Sequence, residues 1–126
     1  MKLGLIQVKQ NRGEGLEARQ EGMLAQARCC YEDGADLVFF PEEHQYVMED
    51  GVLARPDELR EITEKWKERC SALAREYSAY LVPWDYEVAG GKIYNTSYIL
   101  DRTGRETGRF RKVHLPYFEQ KKGIST

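Results

Sequence analysis

The sequence lacks a disulfide framework, a cluster of metal ligands and any long apolar run. Its cysteines are Cys29, Cys30 and Cys70, an odd number with two of them adjacent. Neighbouring cysteines rarely bridge each other because the geometry is strained. We therefore expect reduced thiols in a cytoplasmic protein. No Cys-x-x-Cys pair or Cys/His cluster indicates a zinc site.

Segments typical of membrane or nucleic-acid binding are also lacking. The apolar N-terminal stretch ends at Val8 and meets Lys9-Gln10-Asn11-Arg12, so it is too short for a signal peptide. No apolar run approaches the roughly 20 residues of a membrane-spanning helix. The net charge is −2, with basic and acidic residues intermixed. We expect neither a membrane nor a nucleic acid as a partner.

The pattern of apolar residues predicts an α/β fold with the order β-α-β-α-β-β-β. Alternating strands and helices predict a sheet covered by helices, and the later tight turns predict a mixed sheet. We expect Asp57 to cap the second helix, and segments 42–56 and 116–126 to have no regular element. The 126 residues allow at most one domain. The predicted strands are 3–8, 37–40, 80–88, 93–100 and 107–115, and the predicted helices are 16–31 and 58–79.

Two charged residues follow strand-like stretches and are candidates for chemistry. Glu42 comes after Phe40-Pro41, where burial beside aromatic rings would raise its pKa and suit it to act as a base. The alternative is a solvated loop glutamate. Lys112 alternates with Phe110 and His114 on one strand face and is able to stabilise an oxyanion. The alternative is an exposed basic strand, since lysine is rarely fully buried.

Three ordered segments resemble the nitrilase superfamily, the carbon–nitrogen hydrolases. They are Phe40-Pro41-Glu42, Tyr94-Asn95-Thr96 with Asp101-Arg102-Thr103-Gly104, and Arg111-Lys112-Val113-His114-Leu115. The chain start, with its first strand, its helix and Gly34-Ala35-Asp36-Leu37-Val38, is also similar to that family. The resemblance covers essentially the whole chain.

The resemblance implies a mechanism with a glutamate, a lysine and a cysteine. Glu42 would be the general base, Lys112 would stabilise the tetrahedral intermediate, and a cysteine would attack a nitrile or amide carbon. A second glutamate that positions substrate and water matches Glu119, for which an ordinary loop residue is the alternative. His114 is expected to be a structural hydrogen-bonding residue. Tyr46 either lines the pocket or packs in the core or at the surface.

The chain departs from this pattern because none of its cysteines follows the lysine. The resemblance then implies that residues 1–126 are the N-terminal part of a four-layer α-β-β-α sandwich, and we expect them to be inactive alone. The parent would be a homodimeric hydrolase acting on a small amide, carbamoyl compound or nitrile, without a metal or organic cofactor. The alternative is a shortened module of the same fold that binds small molecules or proteins without catalysis. A half sandwich would leave one sheet face uncovered.

Overall fold

A computed structural model of the chain describes residues 1–9, 13–42, 45–46 and 51–126. These residues form one mixed sheet, three α-helices and a 3₁₀ turn at Val52–Ala54, which confirms the predicted α/β class. The strands are β1 (Leu3–Leu5), β2 (Leu37–Phe39), β3 (Tyr80–Val82), β4 (Trp84–Ala89), β5 (Lys92–Leu100), β6 (Glu106–Arg111) and β7 (Ile124–Ser125). The helices are α1 (Leu16–Glu32), α2 (Pro56–Tyr77) and α3 (Tyr117–Lys121).

Helix α2 has the most regular apolar pattern of the chain. It begins at Pro56, whose fixed φ suits a first helical turn, and it ends before Ser78, which has a left-handed φ of 49°. The predicted cap is wrong, because Arg55 is the N-cap and Asp57 lies in the first turn. A negative charge there suits the positive end of the helix dipole. The buried positions recur every three or four residues at Leu59, Thr63, Trp66, Cys70 and Leu73, which gives one apolar stripe.

Strand β5 pairs with four other strands of the sheet. Strands β1, β2 and β3 are parallel neighbours, and β5 joins them by pairing antiparallel with β3. Strands β4 and β6 also pair antiparallel with β5, and β7 pairs with it in parallel. The β4–β5 hairpin turns at Gly90 and Gly91, whose φ values of 57° and 74° favour glycine. The predicted mixed sheet is therefore confirmed.

The two faces of the sheet differ in what covers them. Val38, Leu81 and Leu100 are fully buried and share one core cluster with residues of α1 and α2. Their strand neighbours Tyr80 and Ile99 point the other way and are exposed, as are both leucines of β1. The sheet thus keeps an apolar face that is largely exposed. None of the helices in the described ranges is both long and apolar enough to cross a bilayer.

Several predicted boundaries are wrong for local reasons. The first strand ends at Leu5, and Pro83, which cannot donate to a ladder, separates two strands where one was predicted. The last predicted strand ends at Arg111, and 116–126 contains α3 and β7 instead of an irregular tail. A five-residue helix is too short to show a helical apolar period. Of the segment predicted without a regular element over 42–56, positions 43–44 and 47–50 lie outside the described residues, as do positions 11–12 of the first loop. The prediction is wrong for its second half, which contains the 3₁₀ turn and the start of α2.

The turn between β5 and β6 is fixed against α2 at Gly104. Its φ is +76°, and an added Cβ would lie 2.3 Å from the backbone oxygen of Ser71. The Asp101 carboxylate accepts hydrogen bonds from the amide and the hydroxyl of Thr103 at 2.8 and 2.6 Å. These contacts hold the turn that was predicted for 101–104 in one conformation, and β6 begins directly after it. The turn thereby determines which residues of β6 pair with which residues of β5.

Candidate active site

Glu42 and Lys112, 70 positions apart in the chain, form an ion pair in the structure. Glu42 follows β2, and Lys112 directly follows β6. The Lys112 ammonium donates a hydrogen bond to Glu42 Oε1 at 2.6 Å. The Glu42 side chain is 47% exposed and that of Lys112 is 28% exposed, so the pair lies at the edge of the protein interior. The structure thus brings together the two residues that the sequence singled out.

Glu119 is the third charged member of this cluster. It lies in α3 and not in a loop, and it is only 1% exposed. Lys112 Nζ lies 3.3 Å from Glu119 Oε1 and 3.1 Å from Oε2. One ammonium therefore faces two carboxylates, one half-exposed and one buried.

Asn95 joins both carboxylates and was not identified as a site residue from the sequence. Its side-chain amide donates to Glu42 Oε1 at 2.5 Å and to Glu119 Oε1 at 2.8 Å. Its own oxygen accepts a hydrogen bond from the Trp84 indole at 2.6 Å. Asn95 lies in β5 and is 4% exposed. A buried asparagine within a Tyr/Thr-rich strand was the available signal, because such a side chain needs partners.

The β5–β6 ladder sets the position of Lys112. Its amide donates to the Asn95 carbonyl at 2.8 Å, which extends the ladder by one residue past the end of β6. Arg109 and Arg111 point to the other face of β6 and pair with Glu87 at 2.5 and 2.8 Å. Hydrogen bonding to Arg111, reinforced by Arg109, lowers the pKa of Glu87 to about 2. The basic run is therefore divided by strand alternation into a structural pair and one site lysine.

The pKa of Glu42 shifts in the direction opposite to the one predicted. Burial acts to raise it, as the sequence suggested. Hydrogen bonds from Lys112 and Asn95, with the Lys112 charge, outweigh burial, and the net pKa of Glu42 is lowered. Burial likewise acts to lower the pKa of Lys112, but Glu42 and Glu119 raise it overall. At neutral pH the cluster therefore contains an ionised Glu42 and a protonated Lys112.

A small open cavity lies beside this cluster. Its volume is about 330 Å³, which suits a small molecule. Its walls combine apolar rings with the polar site groups. The lining residues are Phe40, Glu42, Trp84, Asn95, Ser97, Phe110 and Lys112.

The three cysteines lie away from the cavity. Cys29 and Cys30 lie in α1, and Cys70 is buried in α2, where burial raises the pKa of its thiol. No group of three or more potential metal ligands is found in the part of the chain that the structure describes. Tyr46 packs in the core instead of lining the cavity. His114 is exposed, and its role as a structural hydrogen-bonding residue stays a prediction.

Comparisons with known proteins give one consistent result. The family model described as carbon–nitrogen hydrolase matches residues 2–125. A carbon–nitrogen hydrolase from Helicobacter pylori G27 superposes with a TM-score of 0.81 at 21% identity, over 98% of this chain and 43% of that one. An amidase from Nesterenkonia sp. gives a TM-score of 0.81 at 19% identity, over 99% and 47%.

A mutant of the Nesterenkonia sp. AN1 amidase, with the acetamide moiety of fluoroacetamide covalently added at its active site cysteine, gives a TM-score of 0.81 at 18% identity, over 99% and 47%. At this level of identity the likeness shows the fold. The chain thus spans about half the length of these solved structures. No curated protein matches the chain significantly.

Proposed function

The chain belongs to the carbon–nitrogen hydrolase family, and on this premise we propose that its site serves the hydrolysis of a small amide, carbamoyl compound or nitrile. Glu42 is the general base, Lys112 stabilises the oxyanion, and Glu119 positions substrate and water. The supporting observation is the convergence of two carboxylates and one ammonium on Asn95, at the wall of a small cavity.

Glu42 and Lys112 act in sequence on one reacting centre. The ionised Glu42 accepts the proton of an attacking cysteine thiol, and the thiolate sulfur bonds to the substrate carbon. Negative charge then develops on the carbonyl oxygen of an amide, and the protonated Lys112 stabilises it. Glu42 passes the proton from the thiol to the leaving nitrogen, and collapse of the tetrahedral intermediate then releases ammonia or an amine and leaves a thioester. Water then attacks the thioester and loses a proton to Glu42, and this proton passes to the departing sulfur, which gives the acid and the free thiol.

The pairing of Glu42 with Lys112 links these two steps. A carboxylate with a lowered pKa is a weak base while the ammonium remains bound to it. When Lys112 turns to the developing oxyanion, Glu42 loses the hydrogen bond that lowers its pKa. Glu42 then keeps the proton taken from the thiol until the leaving nitrogen accepts it.

The nucleophile is proposed to come from polypeptide beyond these 126 residues. None of the seven cavity-lining residues is a cysteine, and Cys70 is buried with a raised pKa that disfavours the thiolate. The chain spans about half of its structural neighbours. We therefore expect no turnover from this chain alone.

The test is ammonia release from a panel of small amides, carbamoyl compounds and nitriles. The chain alone is compared with a longer form that carries a cysteine after Thr126. The longer form should be active, and both Glu42→Gln and Lys112→Met should abolish that activity. Lys121→Met, which removes an exposed lysine from α3, is the matched control and should retain it. Turnover by the 126-residue chain that survives both site substitutions would contradict the proposal.

A further inference from the structure

Asp85 of β4 is a buried carboxyl group that the proposed reaction does not use. It is 1% exposed, and no lysine or arginine among the described residues forms an ion pair with it. Its Oδ1 accepts hydrogen bonds from the Tyr46 hydroxyl and from the Tyr86 amide, both at 2.7 Å. Its Oδ2 is buried without a hydrogen-bond partner in the described structure. Such a group is costly to ionise in place.

The Tyr46 side chain contacts three consecutive residues of β4. Its hydroxyl binds Asp85, its ring meets the Trp84 ring edge-on at 6.2 Å, and the Tyr86 ring lies at 5.5 Å. Aromatic contacts of this kind add to the area that the ring buries. These contacts fix Tyr46 against the sheet.

Gln45 is held from the other side by α1. It is completely buried, and its backbone carbonyl accepts a hydrogen bond from Arg19 at 2.8 Å. Its side-chain oxygen accepts one from Gln20 at 2.7 Å. Gln45 and Tyr46 are therefore anchored both to α1 and to β4, although they belong to neither element.

This anchor lies three and four positions after Glu42, and β2 ends three positions before Glu42. Glu42 is thus placed between two fixed points of the chain. Strand β4 also contacts the site itself, because the Trp84 indole donates a hydrogen bond to Asn95, and Asn95 donates one to Glu42. We propose that Tyr46 and Asp85 form a proton-dependent latch that positions Glu42 in the site. The inference rests on the proposed function for the importance of Glu42, although its test does not require turnover.

Among the described residues around the latch, Asp85 is the one whose charge changes near neutral pH. Burial raises its pKa to about 7, against the lowering effect of the hydrogen bonds from Tyr46 and Tyr86 and of the nearby Gln45 amide. Burial also raises the pKa values of Tyr46, Tyr98 and Cys70, so these groups are neutral there. The groups that face Asp85 or Gln45 are Tyr46 and Tyr86, Tyr98 of β5, Cys70 of α2 and Arg19 of α1.

Loss of the proton from Asp85 leaves an unpaired buried charge, and opening the latch would let water reach it. A carboxyl whose pKa is higher in the closed state favours the closed state at low pH, and this preference is lost as pH rises through about 7. The latch is therefore closed below neutral pH and loosens above it. When the latch loosens, Glu42 is held less firmly in the site, because its chain segment is then fixed only at the end of β2.

The test is a carboxyl ¹³C NMR titration of Glu42 in the 126-residue chain, from about pH 2 to about pH 9. In the wild type we expect Glu42 to titrate below its ordinary range, with a second small change near pH 7 that reports Asp85. Tyr46→Phe should move the main titration of Glu42 upward. Asp85→Asn, which keeps an acceptor for the Tyr46 hydroxyl, should retain the main titration and remove the change near pH 7.

Tyr31→Phe is the matched control. The Tyr31 hydroxyl also makes one hydrogen bond from a buried ring, to the Tyr80 carbonyl at 2.8 Å, but it lies in the other core cluster. This variant should titrate like the wild type. An unchanged Glu42 titration in folded Tyr46→Phe, or a change near pH 7 that persists in Asp85→Asn, would overturn the latch. If Tyr46→Phe does not fold, the Asp85→Asn titration decides alone. Failure of the hydrolase proposal would leave these titrations unaffected.

Discussion

Replacing Lys112 by methionine should destabilise the protein in a pH-dependent way. Methionine keeps much of the side-chain length but removes the one positive charge that, among the described residues, pairs with both Glu42 and Glu119. Glu119 is 1% exposed, so without Lys112 its buried carboxyl group keeps Asn95 as its one side-chain donor among the described residues. Removing one partner of a buried ion pair costs about 3–5 kcal/mol.

Two facts reduce this figure. The Lys112 side chain is 28% exposed, and Glu42, the nearer carboxylate, is 47% exposed and partly solvated. Exposed pairs contribute no more than about 1 kcal/mol. We therefore expect Lys112→Met to lower the free energy of unfolding by ~1–3 kcal/mol at neutral pH.

The pH dependence separates this effect from general damage. The folded-state pKa of Glu42 lies below its ordinary value of 4.5, so its contribution is present above that pH and is lost as pH falls through the folded pKa. The difference between wild type and Lys112→Met should therefore narrow below about pH 4.

Urea unfolding followed by tryptophan fluorescence at several pH values measures this difference. Lys121→Met controls for loss of one positive charge from the same region, and it should change stability by less than about 0.5 kcal/mol. The reasoning would be refuted if Lys112→Met and Lys121→Met were equally stable at neutral pH. It would also be refuted if the stability difference between wild type and Lys112→Met stayed constant down to acid pH.

Three further predictions follow from the fold and the site. Asn95→Ala should cost about 2–4 kcal/mol in urea unfolding, since it leaves several buried groups unpaired, whereas Ser97→Ala at the same cavity should cost under ~1 kcal/mol. Gly104→Ala should lower the melting temperature far more than Gly123→Ala, because both have positive φ but only Gly104 abuts the backbone of α2. Wild-type stability should fall by up to ~4 kcal/mol as pH rises from 3.8, the ordinary pKa of the Asp85 carboxyl, to about 7, and Asp85→Asn should remove most of that fall in urea unfolding across this range.

The periodicity of apolar residues predicted the position of Lys112 in the site, but it did not predict the elements of segment 116–126. The alternation of β6 placed Phe110 and Lys112 on one face, and both line the cavity. Glu119 was identified only through the family resemblance, because its burial depends on α3, which is too short to have a detectable period.

Asn95 was missed because its role depends on three partners from distant parts of the chain. The direction of the Glu42 pKa shift could not be predicted either. Burial and ion pairing act on it in opposite directions, and the balance depends on distances that only the fold supplies.

The place of β5 in the sheet has a consequence for how the protein folds. Four other strands pair with β5, and Asn95 lies within it. A slip of one residue in β5 would turn Asn95 to the opposite face and separate it from both carboxylates. Since Glu42 and Lys112 are 70 positions apart, their approach requires long-range closure, which is slow compared with helix formation. Helical content should therefore recover before the cluster assembles, and the pairing of Glu42 with Lys112 is a stricter measure of native register than any helical signal.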